Sequence, residues 1–171
     1  MIEDDINVLL LPLDSAVTKA EALKLILPFS EKHQINRTTD EILVYFTQDG
    51  YDKVLGITEY KGFLCFAGYV LDAVFGFHSH ELVHKWVLAS EKNAILYSNS
   101  NTVGSSSVSI YEKGRSIRFI SDDETDEHLQ DRGEPTRYEV NGVYPLKVLE
   151  TYLGFPLQEL DNQQFDVIWL V

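Results

Sequence analysis

Turn signals recur at short intervals along this chain, and the apolar runs between them are only a few residues long. Asp49-Gly50, Lys61-Gly62 and Lys113-Gly114 each stand between two such runs. A pair ending in glycine accepts the positive φ that a tight hairpin turn demands, so short paired strands are the expected product. On this pattern residues 41–48, 53–60 and 63–70 read as an antiparallel meander, and residues 106–112 and 115–121 as a second hairpin. Serines alternate with Val108 and Ile110 across residues 105–110, a period of two with one apolar face.

The remaining elements are placed around these strands. Residues 6–13 are apolar and read as a buried strand. Asp14 and Ser15 are candidate caps for a helix over 16–27 that carries Val17, Ala20, Leu23 and Leu27 on one face and stops at Pro28. Residues 31–40 are polar and read as a loop. A second helix is expected over 79–89, with Leu82, Val83, Trp86 and Val87 as its buried stripe, followed by a strand over 94–98. Residues 98–109 carry six serines and read as a hairpin loop with a hydroxyl-rich face. Residues 122–134 break the strand pattern, and 136–140 read as an edge strand. Pro145 starts a helix over 145–153 that Gly154 ends, the favoured asymmetry. The terminal run 165–171 is either a core strand or an edge open to association. The order is not a strict alternation of strand and helix. The expected fold class is therefore α+β: a single domain over 1–171, with a largely antiparallel sheet of about 7–9 short strands and about three helices.

Charge narrows the function classes. The 171 residues carry 14 Lys+Arg against 27 Asp+Glu, a formal net charge of −13. Nucleic-acid affinity comes mainly from cations neutralising phosphates, so no nucleic-acid partner is expected, and an anionic membrane surface is disfavoured for the same reason. No run approaches the ~20 apolar residues of a membrane span. Met1-Ile2-Glu3-Asp4-Asp5 carries three carboxylates where a secretory leader is positive, so a cytoplasmic location is expected. Cys65, the single cysteine, lies within Phe63-Leu64-Cys65-Phe66 and reads as a small buried hydrophobe.

The acidity is concentrated. Residues 122–134 hold seven carboxylates and one arginine, a formal charge of −6. Asp122, Asp123, Glu124, Asp126 and Glu127 are nearly contiguous. They lack the alternating ligands and central glycine of a calcium loop, and such runs are ordinarily solvated. Acidic patches steer basic partners, so these five residues are the candidate partner-binding set. Lys113, Arg115 and Arg118 form a small basic group nearby in sequence, placed to pair with the acidic stretch. Tyr97, Tyr111, Tyr138, Tyr144 and Tyr152 are the residue type that interfaces favour.

One string carries catalytic chemistry. His80-Glu81-Leu82-Val83-His84 is H-E-x-x-H, in which two histidines one helical turn apart share a face and would hold one Zn²⁺. It resembles the signature of the zincin metalloproteases. That resemblance implies metal-assisted hydrolysis, with His80 and His84 as ligands and Glu81 as general base. A third ligand would come from Glu150 or His128, and His78 adds a third histidine to the group. The extended zincin string is absent, since positions 87 and 90 are Val and Ser. No G-x-S-x-G, dinucleotide fingerprint or phosphate loop occurs. With no complete catalytic set, the leading expectation is a non-enzymatic acidic module that binds a basic protein, with no cofactor. The zinc hydrolase is the alternative.

Overall fold

Val8, Leu9, Leu10 and Leu11 are all buried, which is possible only for a strand covered on both faces. They form β1 (Val8–Pro12), and the rest of the molecule is arranged around it. The computed structural model describes residues 7–68, 91–100, 104–123 and 130–171. Among these it shows one nine-stranded antiparallel sheet and three α-helices, the α+β class that the turn pattern implied.

The elements, in chain order, are β1, α1 (Lys19–Ile26), β2 (Ser30–Arg37), α2 (Thr39–Asp49), β3 (Val54–Tyr60), β4 (Phe63–Ala67), β5 (Ala94–Ser100), β6 (Ser105–Glu112), β7 (Arg115–Asp123), β8 (Gln130–Arg132), α3 (Pro145–Leu153) and β9 (Phe165–Leu170). The strand order across the sheet is β2-β9-β3-β4-β1-β5-β6-β7-β8. Side chains alternate between two cores. One face packs Val8, Leu10, Ile95, Val108, Phe165 and Val167 under α2 and α3. The other packs Leu9, Leu11, Leu55, Ile57 and Phe66 under Val17 and, from α1, Ala22 and Ile26. Each fully buried aliphatic side chain contributes about 1.5–3 kcal/mol.

Two of the expected hairpin turns form as read. Lys61 and Gly62 have φ of 44° and 85°, and Lys113 and Gly114 have 49° and 74°. Both central residues of each turn are left-handed, as the primed turns of two-residue hairpins require. The third does not form. Residues 41–48 are helix α2, not a strand, so the expected three-strand meander reduces to the β3–β4 hairpin. The cause is local. Thr38 and Glu41 make a capping box, with the Thr38 side chain accepting from the Glu41 amide and the Glu41 carboxylate accepting from the Thr38 amide at 2.7 Å. Ile42 and Phe46 then bury one turn apart, and Gly50 (φ 107°) ends the helix. A Cβ at Gly56 would stand 3.0 Å from Ile42 Cδ1 and 3.2 Å from Phe165 Cδ1, so the bare glycine lets α2 lie close on the sheet.

Four further expectations are corrected. Residues 31–40 were expected as a loop, yet β2 occupies Ser30–Arg37 as an edge strand, bonded on one side to β9. Its polarity reflects exposure, not lack of pairing. Helix α1 starts at Lys19 behind a Thr18 cap. Asp14 instead closes a turn, accepting from the Ala16 and Val17 amides at 2.7 and 2.8 Å. Residues 136–140 hold a 3-10 turn (Arg137–Glu139) in place of an edge strand, and the edge is β8, inside the stretch expected to break the pattern. The serine-rich residues 98–109 lie largely within β5 and β6, paired Ser98↔Ser107 and Ser100↔Ser105. Helix α3 has the expected bounds, with Gly154 left-handed after it. β9 resolves the choice left open for residues 165–171: all six of its residues are buried, between β2 and β3. The helix expected over 79–89 and its apolar stripe lie outside the described residues.

Candidate functional site

The acidic stretch begins on a strand. Asp122 and Asp123 close β7, opposite Ser106 and Ser105 of β6. β8 returns alongside, with Ser121↔Gln130, Ile120↔Asp131 and Phe119↔Arg132 in register. The partner-binding candidates therefore divide. Asp122 and Asp123 are the last two residues of β7, and Asp122 is partly exposed. Glu124, Asp126 and Glu127 lie outside the described residues.

What fixes β8 is a buried arginine. Arg118 lies two residues from Ile120 on β7 and shares its face, so alternation turns it inward. Its side chain is 1% exposed. The guanidinium is fully engaged. Its Nη1 and Nη2 bond both Asp131 oxygens, the second at 3.1 Å, and Nε and Nη2 reach Glu139 Oε1 at 3.2 and 2.5 Å. Nη1 also donates to the Gly133 carbonyl at 2.9 Å. Burying a lone guanidinium would cost several kcal/mol, and two carboxylates with a carbonyl offset that cost. Hydrogen bonding from Arg118 holds Asp131 below the usual carboxylate range. At Glu139 burial pushes upward, but bonds from Arg118 and the Thr136 amide outweigh it and the net shift is downward.

The segment that follows is shaped by the same clasp. Thr136 and Glu139 form a capping box around the 3-10 turn Arg137–Glu139. Gly133 has φ +90°, and a Cβ there would lie 2.1 Å from the Ile117 carbonyl oxygen. Only glycine fits at that approach. Arg137 donates to the Tyr138 hydroxyl at 2.9 Å, with its guanidinium 5.0 Å from the ring centre. Tyr138 meets Tyr152 of α3 at 4.8 Å between ring centres. Burial, reinforced by Tyr138 and Glu112, pushes the Tyr152 hydroxyl up to about 12.

Sequence reasoning placed Arg118 in a basic group able to pair with the acidic stretch, and Asp131 of that stretch is one of its partners. It missed Glu139. The alternation Arg118–Ile120 within β7 was the signal that this arginine faces inward. The tyrosines divide as well. Tyr97 and Tyr111 are buried core residues and line no surface, whereas Tyr144 is 63% exposed. Cys65 is buried as expected, and burial pushes its thiol up to about 12, which makes it a poor nucleophile.

The hydrolase residues His80, Glu81, His84, His78 and His128 lie outside the described residues. Glu150 is on α3. Its Oε1 accepts from the Leu157 amide at 3.1 Å and its Oε2 is 4.0 Å from Lys147 Nζ, beside an open cavity of about 440 Å³. Among the described residues no group of three His, Cys, Asp or Glu is placed to hold a metal ion. Two other ionic groups tie elements together. Asp166 is reached by Lys19 Nζ at 3.1 Å and His33 Nε2 at 3.0 Å, joining α1, β2 and β9. Glu159 accepts from Lys61 Nζ at 2.5 Å and Tyr60 OH at 2.8 Å. Among the described residues no helix is long and apolar enough to cross a membrane.

Set against protein-family models, curated proteins and solved structures, the chain matches none.

Proposed function

We propose that this protein is a non-enzymatic acidic module that binds a basic protein partner through Asp122, Asp123, Glu124, Asp126 and Glu127. One observation carries the reading. The stretch springs from two anchored strand ends, β7 at Asp123 and β8 at Gln130, and the Arg118 clasp fixes the second of them. Binding groups mounted on a rigid frame lose less conformational entropy when a partner docks. Asp122 and Asp123 at the end of β7 begin a run of five carboxylates, enough to supply long-range attraction for a cationic surface.

The test is a charge-neutral variant carrying Asp122→Asn, Asp123→Asn, Glu124→Gln, Asp126→Asn and Glu127→Gln. Partner recovery from the native extract should fall about tenfold, and recovery by the unaltered protein should drop steeply between low and moderate salt. Unchanged recovery removes the acidic stretch as the binding surface.

A further inference from the structure

Beside the clasp lies a cavity of about 450 Å³ between the β6–β7 hairpin and residues 134–138. Ile117 and Pro135 supply apolar wall, Tyr138 closes one side, and Glu112 and Glu134 border it with carboxylates. Arg137 also lines it, donating to the Tyr138 hydroxyl and lying over the ring, and its retained positive charge acts on Glu112. Glu112 and Glu134 are exposed and against that one cation leave the cavity wall net negative. A long side chain with an aliphatic stem and a cationic head fits such walls, its stem along Ile117 and Pro135 and its head between the carboxylates.

The geometry points to this cavity as the receptor for a lysine or arginine side chain projecting from the basic partner. The inference rests on the function proposed above and adds a second, anchoring contact to it. The acidic stretch attracts from a distance, and the cavity holds one residue at short range. The cavity is preformed. Gly133 brings the segment against the Ile117 carbonyl, Arg118 pins Asp131 and Glu139 on either side of it, and the Thr136–Glu139 capping box sets the direction of Tyr138. A preformed receptor of this kind adds affinity at little entropic cost. Central, well-packed cationic anchors are the contacts that dominate many interfaces.

The experiment uses the full chain and a defined probe, the capped tripeptide acetyl-Ala-Arg-Ala-amide, with its neutral citrulline counterpart as control. Amide resonances are followed during titration. The arginine peptide should shift the Ile117 and Tyr138 signals saturably, and the citrulline peptide should bind about tenfold more weakly. Glu112→Gln with Glu134→Gln, both at exposed positions, should weaken the arginine peptide about fivefold or more, while Asp122→Asn with Asp123→Asn changes it less than about twofold. Equal binding of the citrulline peptide, or shifts that spare Ile117 and Tyr138, overturns the inference. If those shifts are absent while neutralising residues 122–127 still abolishes partner recovery, the cavity assignment falls and the docking function stands. If the cavity titrates as described and partner recovery ignores residues 122–127, the acidic stretch falls and the cavity stands.

Discussion

The two edges of the sheet are guarded in opposite ways. β2 is eight residues long and polar, and its register shifts twice against β9, between Ser30 and Lys32 and between Gln34 and Arg37. Bulges and an exposed cation discourage another strand from pairing there. Lys32 lies over the Trp169 ring at 4.1 Å, and Arg37 pairs with Glu41 at 3.1 Å, so its charges turn back to the protein. β8 is three residues long and polar too, but the chain after it is folded over a buried arginine. The β2 edge is protected by its irregular register, and the β8 edge by its brevity, with the chain after it held against β7 by the Arg118 clasp. A segment held by ions can also present residues outward in defined positions, which a bulged edge cannot. That is why the candidate site is placed at β8.

Breaking the clasp should separate the two edges most clearly. Arg118→Ala leaves Glu139 buried without its partner and should cost about 2–4 kcal/mol of stability, at the lower part of the range for a broken buried pair because Asp131 is 46% exposed. Chemical denaturation measures the loss. Amide exchange should rise at residues 130–139 while β2 and β9 keep their relative protection. Gly133→Ala acts on the same segment through the backbone, since its Cβ meets the Ile117 carbonyl and its φ is left-handed. A cost of about 1–3 kcal/mol is expected, with the Arg118 ion pairs loosened, and a thermal melt alongside Gly62→Ala, which has open space around it, isolates the steric part.

Acid offers a gentler way to loosen the clasp, although it also reaches the Arg37–Glu41 pair at the end of β2, where the Thr38 amide and Arg37 hold Glu41 low. Asp131 and Glu139 are held below their ordinary values, so their contribution is fully present above the unfolded carboxyl pKa and is lost as pH falls through the lowered folded values. Stability should therefore decline below about pH 4, and the decline should be shallower in Arg118→Ala. Parallel declines in the two proteins would remove the clasp from the explanation. At the other edge, Lys32→Ala should cost only about 0.5–1 kcal/mol, with a change in Trp169 fluorescence and no effect on residues 130–139.

The same contrast explains what was legible in the sequence. Strands buried on one or both faces, such as β1, β3 and β9, carry apolar runs that declare themselves. So do the two Lys-Gly turns, because few residue pairs tolerate two consecutive left-handed conformations. Helix α3 was legible to the residue, since Pro145 and Gly154 mark its ends. The edges were not. β2 and β8 are polar because one side of each faces outward, and a polar run of that length resembles a loop. Residues 41–48 were misread for another reason. Ile42, Val44, Tyr45 and Phe46 favour strands individually, but the Thr38–Glu41 capping box and burial of positions four apart decide for helix. The clasp was half legible. Arg118 and Asp131 are close in a sequence that folds back on itself, whereas Glu139 reaches Arg118 only because Gly133 and the 3-10 turn redirect the chain.

The position of β9 has a kinetic consequence. Among the described strands β2 touches the sheet only through β9, and β9 also flanks β3, with Lys32 and Val54 on either side of Trp169. During synthesis β2 leaves the ribosome more than a hundred residues before the strand that will receive it. Until residues 165–170 arrive, Leu55 and Val54 present an open ladder, and β2 has no docking partner within that sheet. Closing so long a loop is entropically slow and leaves a sticky nascent edge exposed meanwhile. The polar, bulged sequence of β2 then serves a second end, keeping the waiting strand from pairing with a neighbouring chain before its own late partner appears.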